Sequence, residues 1–414
     1  MGDHAAPTLP LDHLRVLDLT GEYGALTGRL LAGLGADVIR VEPPGGHRTR
    51  RRGPFYRDVP HPERSLYWFQ MNAGKRSITL NLHTADGRAL FRRLVARAQV
   101  LIESLPVGEL AEMGLGFESL LADNPRLVMT SISLYGQQGP YARDEGGDLL
   151  AMAAGGLMYL CGDRDRPPVR VTVEQGNAQA SIHAAAATVI GCATSARTGR
   201  GVHVDVSMQE CVAEALANNR MLWPARGMII HRAGGSRAGG VGRRLIYPAA
   251  DGYIGFYRRP ENYLDLQRWI DEAGIPVGFE VGSWQGRPVS GPDAPPPELE
   301  AKLDEALERY FATRPKAELN REGQAHNLYV TEVSTPEDLV KSPHLAAREF
   351  WVPVEHPELG TTITYPGAPF KLSETPWRPG PRAPLIGEHN VEIYCGELGL
   401  SRAELATLKG AGVI

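Results

Sequence analysis

Residues 14–42 constrain the fold more than any other stretch of this 414-residue chain. LRVLDLT is a β-rich run, ALTGRLLAGLGA spaces its apolar residues as a helix does and stops at Gly35, and DVIRVE is a second apolar run closed by the breaker PPGG at 43–46. Strand, helix and strand in that order make a βαβ unit, and its crossover makes the two strands parallel. The alternation continues. ADGRALFRRLVARA reads as a helix, QVLIE as a strand, FESLLADNP as a helix and RLVMTSISL as a strand. An open, doubly wound α/β sheet is therefore expected over roughly the first 200 residues.

A helix over 176–197 follows, then TGRGVHVDVS, a turn at Gly199 and Gly201 leading into a strand of period two. The apolar part of that helix, 178–196, is interrupted by Gln179, Ser181, His183 and Thr188. It reads as a buried helix of a soluble protein and not as a membrane span. The composition changes after 224. HRAGGSRAGGVGRR at 231–244 is rich in glycine and arginine and is not expected to form a regular element. YPAADGYIGFY reads as a hairpin turning at Asp251-Gly252, and helices are expected from Asn262 and over 298–314. Residues 225–330 form a second, smaller domain on this reading. The short strands WVPVEH and TTITYP, a proline-rich stretch at 376–384 that wraps a surface, and a terminal helix complete the chain.

Charge and cysteine content exclude several function classes. Forty-four lysines and arginines against 48 aspartates and glutamates give a net charge of −4, unlike the basic balance of a nucleic-acid binder. The four cysteines lie far apart with no metal-ligand spacing, which reads as unpaired thiols in a reducing cytoplasm. The N-terminus lacks the basic and apolar regions of a secretory signal. No HExxH and no GxSxG are present, so zinc-enzyme and serine-hydrolase chemistry are weak readings.

Three features carry candidate chemistry. Gly21, Gly24 and Gly28 follow the first strand but do not make GxGxxG, so they read as turn and helix-packing glycines. Basic residues cluster in HRTRRR at 47–52 and in NAGKR at 72–76. Guanidinium and ammonium groups near a βαβ unit suit a phosphate-bearing cofactor, which makes Arg40, Arg48, Arg50, Asn72, Lys75 and Arg76 the candidate cofactor contacts. The third is VTVEQGNAQASIHAA at 171–185, where Glu174 and Asn177 open a helix of small residues. They stand three apart at a helix N-terminus, which favours anions.

These blocks occur together with LLAGLGADVIRVEPPGG, NAGKRSITLNLHTADGRALFRRL, TGRGVHVDVSMQE and GAPFKLSETPW…APLIGEHN. In that order they resemble the class III CoA-transferases, the CaiB/BaiF family, over nearly the whole chain. The resemblance implies an α/β fold with a large Rossmann-like domain built from both chain ends and a smaller α+β domain between. The expected parts are 1–224, the small domain at 225–330, and 331–414 returning to the large domain. It also implies a homodimer of two chains threaded like linked rings, a cytoplasmic enzyme, and coenzyme A as a moiety of the substrate, with no metal. Its partners would be an acyl-CoA or carboxylic acid, with no nucleic acid and no membrane.

In such enzymes a carboxylate attacks the acyl-CoA thioester and later carries CoA as an enzyme thioester. That nucleophile resembles an aspartate 21 residues before the threonine of TGRG, which here is Asn177. Glu174 is the nearest replacement in sequence. Other positions also depart. GEYGALTG stands where an AGP segment is usual, ESLPVG at 103–108 where a segment like ENFRPG binds CoA, and Glu112 where an arginine is expected. The racemase branch has a histidine before an aspartate where this chain has Gly147 and Asp148. Three readings stay open. One is a CoA-transferase with a relocated carboxylate. Another is a lyase, isomerase or cyclase on the same scaffold. The last is a non-catalytic subunit paired with an active homologue.

Overall fold

Strands buried on both faces read as continuous apolar runs, and the first sheet is built from such runs. In the computed structural model, which describes residues 9–217, 219–236, 243–288 and 291–414, the chain divides into two compact units. The first comprises the residues up to Leu157, Val171–Leu216 and Pro343–Ile414. The second comprises Met158–Arg170 and Ala217–Ser342.

The first unit opens with β1 (Arg15–Leu19), α1 (Ala25–Gly33), β2 (Asp37–Glu42), α2 (Leu66–Asn72) and β3 (Arg76–Thr79). It continues with α3 (Ala85–Val95), β4 (Val100–Glu103), the single turns α4 (Glu109–Glu112) and α5 (Phe117–Leu120), and β5 (Val128–Ser133). Then come α6 (Asp148–Ala154), the long α7 (Gln175–Thr198) and β6 (Val202–Ser207). All six strands pair in parallel in the order β3-β2-β1-β4-β5-β6. This is the doubly wound α/β order, and its direction reverses between β1 and β4. Leu17, Ile39, Ile78 and Leu101 are fully buried beneath Phe91 and Leu94 of α3, and the C-terminal Ile393 and Tyr394 complete that layer.

Two expectations change in detail, and a third gains its anchors. FESLLADNP gives only the turn α5, because Asn124 leaves the helix and its amide donates to Val95 O at 3.1 Å and Ala98 O at 2.6 Å. α7 is not buried on all sides: Ala180, Ala184 and Thr188 are buried, but Ile182 and Ile190 are 51% and 67% exposed. The proline-rich stretch is a strap pinned to the unit, with Arg378 N–H donating to Gly33 O at 3.0 Å and Gly74 N–H donating to Pro381 O at 2.8 Å. β10 (Trp351–His356) and β11 (Thr361–Pro366) pair antiparallel beside it.

In the second unit, β7 (Ile246–Ala249), β8 (Gly252–Tyr257) and β9 (Tyr329–Glu332) form an antiparallel sheet under helices at 263–273, 297–311 and 316–325. In its core Trp269 stacks on Phe311, and Phe256 meets both edge to face. The hairpin turns one residue earlier than expected. Ala249 pairs with Gly252, so the loop is Ala250-Asp251 and Gly252 begins the strand at φ +146°. Part of the glycine- and arginine-rich run, 237–242, and the first eight residues of the N-terminal reading lie outside the described residues. No disulfide joins the four cysteines. No described helix is long and apolar enough to cross a membrane.

A charged cluster sits inside the first unit. Asp18 on β1 faces Arg40 on β2 across the ladder, and Arg40 Nη1 donates to Asp18 Oδ1 at 2.8 Å. Lys75 Nζ donates to Asp18 Oδ2 at 2.7 Å, to Ala25 O at 2.8 Å and to Asn72 Oδ1 at 3.0 Å, which engages all three ammonium hydrogens. Gly28 of α1 leaves room for this cluster, since a Cβ there would stand 2.5 Å from Asp18 Oδ2. Burial alone would raise the Asp18 carboxyl, but Lys75 and Arg40 outweigh it and hold it well below the usual carboxylate range. Replacing Asp18 by Asn leaves two buried cations facing a neutral amide, which costs about 3–5 kcal/mol. Urea unfolding of Asp18→Asn is expected to read that loss, and an unchanged midpoint at unchanged slope contradicts it.

Candidate active site

In open α/β sheets the crevice lies at the carboxyl ends of the strands where the strand order reverses. A cleft of about 890 Å³ stands there, lined by Gly21 and Tyr23 after β1, His47 and Arg48 after β2, Ser104 after β4 and Ser133 at the end of β5. Another cavity, of about 550 Å³, lies at the opposite end of the sheet, against Leu14, Gln99 and Val128, away from the reversal's carboxyl ends. Ser104 binds the first loop to the crevice: Gly21 N–H donates to its Oγ at 2.6 Å, and its hydroxyl donates to Tyr23 O at 2.9 Å. The Ser133 hydroxyl is buried in the lining without a hydrogen-bond partner.

The loop that starts at Thr20 reaches α7. Thr20 is tied to Asp18 Oδ1 by its N–H at 2.9 Å and its hydroxyl at 2.6 Å. Gly24, at φ +87° and ahead of α1, then donates its N–H to Asn177 Oδ1 at 3.0 Å. Asn177 is 5% exposed. It is the third residue of α7 and not its cap. Its own N–H is received by Asp148 Oδ1 of α6 at 2.9 Å, so a carboxylate from another helix satisfies this N-terminus. The amide nitrogen of Asn177 donates to Glu174 Oε2 at 3.4 Å.

Glu174 precedes α7 and makes no capping bond to it. Its carboxylate pairs instead with Arg52, with Oε1 on Nη2 and Oε2 3.2 Å from Nη1. Glu174 and Asn177, expected together from sequence, do stand together. Of their surroundings, Arg52 and Tyr67 are not among the expected site residues, Gly24 reads from sequence as a turn glycine, and Asp148 only as the position of the racemase branch's aspartate. Arg52 is hidden within a basic run, and Asp148 is 29 residues from Asn177 with nothing in the sequence to tie it to Asn177.

The basic residues expected to hold a cofactor are mostly engaged by the protein. Arg40, Lys75 and Asn72 belong to the buried Asp18 cluster. Arg50 grips both oxygens of Glu42 at 2.7 Å, reaches Glu63 at 2.6 Å and lies 3.8 Å from the Trp68 ring centre. Arg76 joins Asp37, Glu392 and Glu397. A charge in a sequence does not announce its partner, and these found carboxylates within the fold. Arg48 differs. It is 72% exposed at the cleft wall, 3.2 Å from Glu22.

Two groups beside the cleft are electrostatically unusual. Burial, with Arg40 nearby, pushes the His47 imidazole down to about 3, so it stays neutral. Burial pushes the Glu103 carboxyl up to about 7, although Ser131 and the Leu105 N–H, at 2.8 Å, both favour its charged form. Among the described residues no group of three or more His, Cys, Asp or Glu side chains is arranged to hold a metal.

Known proteins resemble this chain along its length. The profile of CoA-transferase family III matches residues 11–390. The succinyl-CoA:(R)-benzylsuccinate CoA-transferase subunit BbsE of Thauera aromatica is 39% identical over 97% of this chain and 97% of its own. The formyl-CoA:oxalate CoA-transferase of Streptomyces avermitilis is 34% identical over 98% of this chain and all of its own length. The crystal structure of a CaiB/BaiF family protein from Brucella suis superposes with a TM-score of 0.83 at 30% identity, covering 94% of this chain and 100% of that one.

Glu103 makes stability depend on pH. Its folded value lies above the ordinary 4.5, so between 4.5 and about 7 the folded chain binds more protons than the unfolded one. Stability therefore falls as pH rises through that window. Glu103→Gln is expected to match the parent at pH 4 and to exceed it by up to about 3 kcal/mol at pH 8. Equal unfolding midpoints of the two proteins at pH 8 contradict this.

Proposed function

Since the chain belongs to CoA-transferase family III, we propose that it serves CoA transfer between an acyl-CoA and a carboxylic acid as a subunit whose nucleophilic carboxylate is supplied by a related second chain. One observation carries the reading: Asn177 is a buried, neutral amide at the start of α7, the position to which the resemblance assigns the family's catalytic aspartate. In that reaction a carboxylate oxygen attacks the thioester carbon and CoA leaves as thiolate. The thiolate then attacks the enzyme's own carbonyl of the mixed anhydride, which releases the free acid and leaves CoA as an enzyme thioester. The amide of Asn177 has no anionic oxygen, and its oxygen already accepts the Gly24 N–H at 3.0 Å. The naming of the Thauera aromatica relative as a subunit supports the reading.

The remaining assignments rest on the same premise. Coenzyme A is the substrate moiety, and Arg48 at the cleft wall is its best-placed basic contact. The expected parts 1–224 and 331–414 supply the large domain and 225–330 the small one, except that 158–170, 217–224 and 331–342 group with the second compact unit, in a cytoplasmic protein. Two chains interlock, either two copies or one copy and the related chain. The exposed Ile182 and Ile190 on α7 support a covering partner, and a single-chain mass by light scattering contradicts the two-copy form.

A second reading makes Glu174 the nucleophile, favoured by its oxygen 3.4 Å from the Asn177 amide. Its pairing with Arg52 stabilises the anion and lowers its nucleophilicity, which weighs against it. No geometry favours the lyase, isomerase or cyclase alternative.

Exchange of isotopically labelled succinate into succinyl-CoA separates the two. The purified chain alone is expected to show no exchange, and Asn177→Asp is expected to raise it at least tenfold above background. Exchange by the unaltered chain that Glu174→Ala abolishes contradicts the subunit reading and establishes the second.

A further inference from the structure

The ion pair ahead of α7 has the form of an occupied binding site. Arg52 is held independently of Glu174. Its guanidinium carbon lies 4.2 Å from the Tyr67 ring centre, and its carbonyl accepts the Ser65 hydroxyl at 2.5 Å. Tyr67 is itself fixed, with its hydroxyl donating to Glu22 O at 3.0 Å. A fork backed by an aromatic ring recognises planar carboxylates by two parallel hydrogen bonds. Asn177 Nδ2 points at the same place, 3.4 Å from Glu174 Oε2. Guanidinium and amide donors thus converge on one carboxylate.

We propose that Arg52, backed by Tyr67, and the amide of Asn177 form a receptor for the carboxylate of a small acid, and that Glu174 occupies it as an internal surrogate until such a ligand displaces it. The asparagine gives the site its sense. An aspartate at 177 would set a second anion against any bound carboxylate, whereas the amide donates to it. The residue change that removes covalent capture therefore favours non-covalent recognition of an acid. The surrogate is displaceable. Arg52 and Glu174 side chains are 41% and 29% exposed, and exposed pairs of this kind hold weakly. Removing Glu174 leaves the helix start intact, because its side chain caps nothing while Asp148 receives the Asn177 N–H.

Calorimetric titration of the purified full-length chain with succinate, at low ionic strength and without any CoA ester, reads the receptor independently of transfer. Glu174→Ala is expected to bind succinate about tenfold tighter than the parent. Glu174→Gln, which keeps the volume and drops the charge, is expected to show a gain in the same direction. Neutral succinamide is expected not to bind, and Arg52→Gln added to Glu174→Ala is expected to remove the gain. Thermal unfolding of each variant shows that it is folded. Folded Glu174→Ala and Glu174→Gln that bind succinate no tighter than the parent overturn the proposal. So does a gain that survives Arg52→Gln, or equal binding of succinamide.

Discussion

The bridge from Asp18 to Arg40 and Lys75 is the interaction on which the site depends. It joins β1, β2 and the start of β3 at the end of the sheet where ligands enter doubly wound folds. Buried charges are tolerated only when paired and hydrogen-bonded, and here one carboxylate answers two cations. The same carboxylate holds Thr20 by two bonds. The loop leaving Thr20 is thereby aimed at α7, where Gly24 meets Asn177. Three sequence-distant segments are set in register by one acid in a strand.

That rigidity explains what the asparagine does. Asn177 is not a loose substitution in an idle pocket. Its oxygen and both its neighbouring carboxylates, Asp148 and Glu174, are placed by hydrogen bonds. The loop leaving Thr20 and the start of α7 meet at a neutral amide. On the proposed reading such a site orients and recognises an acid without forming an acyl intermediate. The proposed subunit role and the proposed carboxylate receptor both rest on this one neutral side chain.

The first unit's sheet was legible in the sequence because runs such as RVLDL and DVIRVE must be buried on both faces, and their alternation with helices leaves few topologies. Local signals failed where distant atoms decide. Asn124 ends α5 early because two carbonyls at the end of α3 take its amide. Gly252 marked the hairpin, but the turn settled one residue before it. At the site, the position of Asn177 followed from a family resemblance and a count to TGRG, not from its own neighbourhood. Arg40, Arg50 and Lys75 looked like phosphate ligands because sequence shows charge without its counter-charge. Arg52 and Glu174 are 122 residues apart, and nothing in either segment points to the other.

Covalent trapping tests the central claim most directly. The isolated chain is incubated with succinyl-CoA, and peptide mass spectrometry searches every carboxylate for the mass of bound CoA or of the acyl group. The account predicts no adduct on Glu174, Asp148, Glu103 or any other acid of this chain. A CoA thioester on Glu174 would contradict it, since the chain would then hold its own nucleophile.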